Sequence, residues 1–188
     1  MGQTKHGGQT KYGGQAKYGP ITQIGLVVDD LDASIQRWIG TMGVGPWMVF
    51  RNVTLNGQYR GQDTVVTIDV GLSYQGETQV ELIEVTNRAP SPYLDDTGRP
   101  LTGLHHLAWI VDDLDAVLTR AAADGLKLVF RAQSPGTRVA YLEAPGEKGL
   151  LFEYIESEAT RELIAAGLVA TRDWEGTNPI HEIDFAAL

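Results

Sequence analysis

The chain has 188 residues, 43% of them apolar, and a formal net charge of −9. This length is enough for one good-sized domain or two small fused units. The acidic balance argues against nucleic acid as a partner, because its phosphates would be repelled. No apolar run approaches the roughly 20 residues that cross a bilayer, and no signal-peptide pattern opens the chain. The lack of cysteine excludes disulfides and thiolate chemistry, and we expect a cytoplasmic protein without a membrane partner.

The N-terminal segment, residues 1–19, contains three glycine-rich hexapeptides, GQTKHG, GQTKYG and GQAKYG. It has little apolar surface to bury, so it predicts a disordered low-complexity tail. The folded part begins near residue 20, where the alternating, β-rich residues 21–28 predict a strand. Asp30 then supplies a helix cap, and the helix that follows has an apolar face of Leu31, Ile35, Trp38 and Ile39.

Three more strands are predicted in the first half, near residues 46–55, 64–71 and 78–85. The pairs Asn56-Gly57 and Gln75-Gly76 have the composition of turns between them. The first half, residues 20–88, therefore reads as one β-α-β-β-β module. Residues 89–103, which are rich in proline and aspartate, predict a linker.

The second half follows the same order. We expect a strand at 105–111, a helix at 113–124 and strands near 126–131, 137–143 and 149–155. These elements define a second module at residues 104–156, followed by a C-terminal helix and tail at 157–188. The hexapeptide VDDLDA supports the duplication, because it occurs at Val28–Ala33 and again 83 residues later at Val111–Ala116. The expected fold class is α+β, built from two tandem modules.

Four polar side chains interrupt strand faces that are otherwise apolar. Side chains alternate between faces along a strand, and this places Gln23 and His106 at matching positions in the first strand of each half. Glu81 and Glu153 match in the same way in the fourth strand of each half. An isolated carboxylate on a core face costs several kcal/mol or takes up a proton. A divalent cation would remove that cost, so the four residues together form a candidate metal site.

Simpler interpretations of the same residues remain open at this point. A glutamate in a strand most often faces solvent, which is what we expect of Glu84 and Glu156. The two strand faces could also be reversed, since Glu81 and Glu153 have apolar neighbours on both sides. His106 fits a core histidine as well, and His105 is the alternative functional residue.

Four segments resemble the vicinal oxygen chelate proteins, which include glyoxalase, bleomycin-resistance and extradiol dioxygenase relatives. ITQIGLVVDDL at residues 21–31 and GLHHLAWIVDDLDA at 103–116 resemble the opening strand and turn of the two modules. TQVELIEV at 78–85 and GLLFEYIE at 149–156 resemble the closing strands. The resemblance covers about residues 21–156. It implies two tandem βαβββ modules that form an open curved barrel around one metal site, in a protein that is often a homodimer.

The metal ligands of that family come from the first and fourth strands of each module, which here are Gln23, Glu81, His106 and Glu153. The set is similar to that of some glyoxalase I enzymes and related to that of methylmalonyl-CoA epimerases. Residues 91–106 resemble the linker of the epimerases more closely than the linker of glyoxalase. Extradiol dioxygenases use two histidines and one carboxylate, and Gln23 departs from that pattern. Oxygen and nitrogen ligands suit a divalent ion of Zn, Ni, Co, Mn or Fe without selecting one.

This constellation predicts a metal-dependent lyase or isomerase that acts on a small-molecule substrate. The cation would polarise a carbonyl, and a carboxylate would move a proton on the neighbouring carbon. By resemblance to glyoxalase, Glu153 is the first choice for this base and Glu81 the second. The substrate itself is not predicted. Arginines that could contact a carboxylate or phosphate are Arg51, Arg60, Arg99 and Arg131.

Two alternatives belong to other functional classes. The first is a metal-free, drug-sequestering protein of the same fold, with an apolar groove. Aromatic residues that could line such a groove are Trp38, Trp47, Phe50, Trp109 and Tyr141, although core packing is their commoner use. The second is an Fe(II) extradiol dioxygenase.

Overall fold

The structure is a computed structural model that describes residues 16–134, 136–147 and 149–184. The tail predicted at residues 1–19 lies mostly outside these ranges. The helices are α1 (Leu31–Arg37), which continues as one π-helical turn (Trp38–Met42), α2 (Leu114–Ala123) and α3 (Glu158–Arg172). The strands are β1 (Gln23–Val27), β2 (Trp47–Tyr59), β3 (Gln62–Gln75), β4 (Thr78–Val85), β5 (Gly103–Ile110), β6 (Lys127–Ser134), β7 (Thr137–Glu143), β8 (Leu151–Glu156) and β9 (Ile180–Asp184).

Eight strands form a closed mixed barrel in the order β3-β4-β1-β5-β8-β7-β6-β2, with β2 returning to β3. The fold is therefore α+β, as predicted, but the barrel is closed where an open one was expected. Closure depends on a short contact between β2 and β6, from Asn56 opposite Gln133 to Tyr59 opposite Phe130. The other end of β2, Trp47–Arg51, pairs in parallel with β9, a strand that the sequence did not predict.

The two halves of the barrel repeat the same strand pairing. β1 pairs in parallel with β4, and β5 pairs in parallel with β8. Asp30 caps α1 and Asp113 caps α2, each accepting a hydrogen bond from a backbone N–H three residues later, at 2.8 and 2.9 Å. Glu84 and Glu156, which we expected to face solvent, are half-buried. They accept the first N–H of α1 and of α2, at 2.8 and 2.6 Å, so each carboxylate stabilises a helix N-terminus.

The turn predicted at Asn56-Gly57 is wrong, because these residues continue β2. The chain turns instead at Arg60 and Gly61, where φ is 49° and 81°. Glycine is needed at position 57 for a different reason: a Cβ there would lie 2.1 Å from the carbonyl oxygen of Arg131 on β6. The Asn-Gly signal therefore marks the contact that closes the barrel.

The segment predicted as a linker is partly buried. Tyr93 is only 1% exposed and belongs to the core cluster of the barrel interior. Leu94 is 8% exposed and forms a bridge with Pro100. This segment therefore contributes one wall of the interior in addition to joining β4 to β5.

Helices α1 and α2 pack outside the barrel, and α3 reaches its interior. Leu31 and Ile35 of α1 are fully buried in one outer cluster, and Leu114 and Val117 of α2 are buried in another. Leu163 of α3 packs instead against the interior cluster. Within the described ranges, the helices are too short or too polar to cross a membrane.

Candidate metal centre

Strands β4, β5 and β8 bring Glu81, His106 and Glu153 together inside the barrel. His106 Nε2 lies 3.1 Å from Glu81 Oε2 and 3.0 Å from Glu153 Oε2. One ligand atom from each residue lies within 4.8 Å of the other two, which is compatible with a single metal ion. The His106 side chain is fully buried, and those of Glu153 and Glu81 are 5% and 14% exposed.

Gln23, the fourth predicted ligand, lines the same cavity as Glu81 and Glu153. It lies on β1, which pairs with β4 on one side and β5 on the other. Gln23 is 4% exposed, and its Oε1 has no hydrogen-bond partner within the described part of the chain. His106 Nε2 and Glu153 Oε2 lie 3.0 Å apart but do not form an aligned hydrogen bond. Three of the four residues thus present a buried atom whose hydrogen-bonding capacity is not fully used, and such an atom is available to bind a cation.

Hydrogen bonds behind His106 determine which nitrogen faces the carboxylates. The carbonyl oxygen of Pro92 can only accept, so His105 Nε2–H, 3.0 Å away, donates to it. A neutral His105 then has a lone pair on Nδ1, which accepts from His106 Nδ1–H at 2.9 Å. This network assigns Nε2 of His106 to the site. A ligating histidine usually has its other nitrogen held in this way.

The protonation of the site follows from burial and charge. Burial lowers the pKa of His106, but the carboxylates of Glu153 and Glu81 outweigh this effect and raise it to about 10. Burial lowers the pKa of His105 to about 3, which keeps that ring neutral. Burial also raises the pKa of Glu81. The metal-free protein therefore keeps a proton on His106 between two carboxylates, where a cation could replace it.

The amide of Gln23 is oriented by a chain of hydrogen bonds that begins at α3. The carbonyl oxygen of Leu163 accepts from the Tyr74 hydroxyl at 3.4 Å. The same hydroxyl accepts a hydrogen bond from Gln79 Nε2 at 2.6 Å. The amide oxygen of Gln79 therefore faces Gln23, and it accepts a hydrogen bond from Gln23 Nε2 at 2.9 Å. With its nitrogen committed to Gln79, the Gln23 amide keeps its oxygen free, as a metal ligand must.

A cavity of about 280 Å³ adjoins the four residues. Its polar lining includes Gln23, Gln79, Glu81 and Glu153, and its other walls are mostly apolar side chains from β2, β3, β7 and α3. Apolar residues that line it include Phe50, Val53, Val70, Val139 and Leu163. The site therefore combines charged side chains on one side with a mostly apolar surface on the other.

The other candidates from the sequence lie elsewhere, with two exceptions. Phe50 and Tyr141 line the cavity. Trp47 is fully buried in the core beside Trp38, and Trp109 packs in the outer cluster against α2. None of the four arginines considered above is among the described residues that line this cavity.

Comparison with known proteins agrees with the fold of the barrel. A family profile described as Glyoxalase/Bleomycin resistance protein/Dioxygenase superfamily matches residues 22–141. Because this match spans more than half of the sequence, the chain belongs to that superfamily, which is the vicinal oxygen chelate superfamily. A search of curated proteins finds no match.

Solved structures with a similar fold share little sequence with this chain. A hypothetical protein, BH1468 from Bacillus halodurans C-125, is 19% identical with a TM-score of 0.51, covering 74% of this chain and 94% of that one. Methylmalonyl-CoA epimerase from Mycobacterium tuberculosis is 20% identical, with a TM-score of 0.49 and coverages of 76% and 91%. Methylmalonyl-CoA epimerase in complex with methylmalonyl-CoA and NH4+ is 23% identical, with a TM-score of 0.47 and coverages of 74% and 94%. The first of these supports the fold.

Sequence reasoning missed the residues that orient the candidate ligands. It treated His105 as an alternative to His106, whereas the structure gives the two histidines different places in one network. It did not single out Gln79 or Tyr74. The signal for Gln79 was available, since it lies two residues before Glu81 and therefore on the same strand face. Tyr74 could not be found in this way, because its role depends on the position of α3.

Proposed function

We propose that this protein is a metal-dependent lyase or isomerase that moves a proton next to the carbonyl of a small-molecule substrate. The observation that carries the proposal is a buried group in which Glu81, His106 and Glu153 lie close enough to share one ion, beside Gln23, whose Oε1 has no hydrogen-bond partner among the described residues. Burying two carboxylates around an imidazole is costly unless their charges are compensated, and an unsatisfied buried polar atom costs about 1–3 kcal/mol. A bound divalent cation would offset both costs at once.

Gln23, Glu81, His106 and Glu153 would hold the ion, and their oxygen and nitrogen donors fit Zn, Ni, Co, Mn or Fe(II). When bound, such an ion supplies a Lewis acid that polarises a carbonyl and makes the adjacent C–H more acidic. The amide and imidazole are held in the orientation that offers their free donor atoms to the site. The protein thereby prepares the ligands before the ion arrives.

A carboxylate of the site acts as the base. It takes a proton from the carbon next to the carbonyl and returns it to the opposite face or to a neighbouring atom. Glu153 is the first choice by its likeness to the corresponding glyoxalase residue. Glu81 is the second choice, and its side chain is the more exposed of the two, at 14% against 5%.

The apolar cavity also supports a second candidate, a metal-free protein that sequesters small apolar molecules. Such a binder has no need of a buried histidine between two carboxylates, an arrangement whose desolvation is costly. The enzyme is therefore the preferred proposal. An Fe(II) dioxygenase is a less favoured third, because Gln23 stands where that chemistry uses histidine.

Elemental analysis and proton exchange test this proposal. Purified protein is expected to contain about one transition-metal ion per chain, and removal by a chelator should lower its melting temperature. In D2O, the loaded protein should exchange the hydrogen next to the carbonyl of a small, uncharged α-hydroxyketone such as acetoin, followed by NMR. A metal-free protein whose melting temperature does not respond to chelators and that exchanges no hydrogen of this compound would support the binder, and oxygen uptake with catechol would support the dioxygenase.

A further inference from the structure

We propose that the cavity accepts a small carbonyl compound with an apolar body, and rejects one whose body carries an anionic group. This inference rests on the proposed function and names the substrate class of the same site. It follows from the chemistry of the cavity walls outside the candidate metal ligands, because these walls are mostly apolar and carry one neutral hydrogen-bond donor.

The walls are suited to hydrocarbon. Phe50 and Val53 of β2, Val70 of β3 and Val139 of β7 line the cavity, and Leu163 of α3 lines it as well. Burying one methylene group against such a surface strengthens binding about fourfold. The volume of about 280 Å³ lies just below the roughly 300–1,000 Å³ typical of drug-sized ligands, so the enclosed part of the substrate is small.

The cavity walls provide no positive charge for an anionic group on the body of the substrate. No lysine or arginine is among the described residues lining the cavity. Arg51, on the strand that carries Phe50, is engaged by Asp32, Asp69 and Glu182. A carboxylate or phosphate on the substrate body would lose its hydration next to two glutamates, with no cation other than the bound ion to compensate.

The walls do offer a neutral hydrogen-bond donor. The hydroxyls of Tyr93 and Tyr141 lie 3.0 Å apart, and one donates to the other. The accepting tyrosine keeps its own hydrogen, for which the described residues provide no acceptor. A phenol is uncharged at neutral pH, so the free hydrogen belongs to a neutral donor. A carbonyl or hydroxyl oxygen on the substrate fits this donor.

Hydroxamic acids test the inference, because they chelate metal ions through two adjacent oxygens and their chains can be varied. The protein is loaded with Co²⁺ and titrated with acetohydroxamic, butanohydroxamic and hexanohydroxamic acid, following the visible absorption of the ion. Affinity is expected to rise about fourfold per methylene between the first two. Adipic acid monohydroxamate, which matches hexanohydroxamate in chain length but ends in a carboxylate, is expected to bind at least tenfold more weakly.

The outcomes separate this inference from the proposed function. In one contradicting result, acetohydroxamate alters the cobalt spectrum while longer chains bind no better. In another, the carboxylated compound binds as tightly as hexanohydroxamate. Either result would show that the proposed substrate class is wrong, while the metal site would remain supported. If Co²⁺ does not bind at all, the proposed function fails and the substrate class fails with it.

A charge introduced into the wall gives a second, independent measurement. Leu163→Arg places a cation on the face of α3 that lines the cavity, and it should improve binding of adipic monohydroxamate at least tenfold relative to hexanohydroxamate. Val169→Arg is the matched control, because Val169 lies on the same helix, is 48% exposed and is not among the residues lining the cavity. Equal effects of the two variants would overturn the inference.

Discussion

Gly25 lies directly opposite His106 across the β1–β5 pair, and the imidazole occupies the space that a side chain at position 25 would need. A Cβ built on Gly25 comes within 2.0 Å of His106 Cε1 and 2.2 Å of Nε2. The absence of a side chain at one position of β1 is therefore a condition for the histidine of β5 to reach the site.

Substitution of Gly25 tests this relationship. Gly25→Ala should displace the imidazole, lower the metal affinity at least tenfold and reduce stability by about 1–3 kcal/mol, the usual cost of overpacking. Metal titration and thermal unfolding measure the two effects. Gly40→Ala is the control, since a Cβ there meets no atom within 4 Å. Equal metal affinity in both variants would contradict the role of Gly25.

Removal of the Gln79 side-chain amide should weaken the site without touching a candidate ligand. Gln79→Leu leaves Gln23 Nε2 without its acceptor, so the Gln23 amide can rotate and turn its nitrogen towards the ion. We expect metal affinity to fall about 10- to 100-fold, as for other residues that orient ligands. Gln75→Leu, at the exposed end of β3, should leave affinity unchanged. The idea fails if isothermal titration gives both variants the wild-type affinity.

Metal binding should release about one proton at pH 7. The pKa of His106 is raised to about 10 in the metal-free protein, so the imidazole is protonated below that pH, and an incoming ion must displace the proton. The affinity should therefore rise about tenfold per pH unit between pH 7 and 9. Calorimetry in two buffers with different ionisation enthalpies counts the protons. An affinity that does not change over this range would show that His106 is already neutral.

The choice of base predicts different effects for the two glutamates. With metal content matched to that of the wild type, Glu153→Gln should lower the rate of deuterium exchange at least 100-fold, the contribution expected of a general base. Glu81→Gln should retain more activity, because its expected role is to hold the ion. Circular dichroism checks that both variants remain folded. Turnover retained by Glu153→Gln would remove Glu153 from the mechanism and leave Glu81 as the base.

The sequence predicted those features that depend on local pattern. The bounds of β4 and β7 match the prediction, and Glu81, His106 and Glu153 lie together as their positions in the repeat implied. Features set by distant contacts were not predictable in this way. Gly57 resembles a turn residue in the sequence, but the glycine is required because the backbone of Arg131 on β6 lies too close for a side chain at position 57. The sequence alone does not show that contact. Strand β9 was missed because it forms by pairing with β2, and its own five residues are mostly exposed.

The brief contact between β2 and β6, from Asn56–Gln133 to Tyr59–Phe130, has a dynamic consequence. It is the shortest of the junctions that complete the ring of eight strands, whereas β2 and β3 are paired along most of their length. The wall of the barrel should separate there before it separates elsewhere, because few backbone hydrogen bonds have to break. Amide hydrogens of Gly57 and Arg131 should accordingly exchange with solvent faster than those of β4.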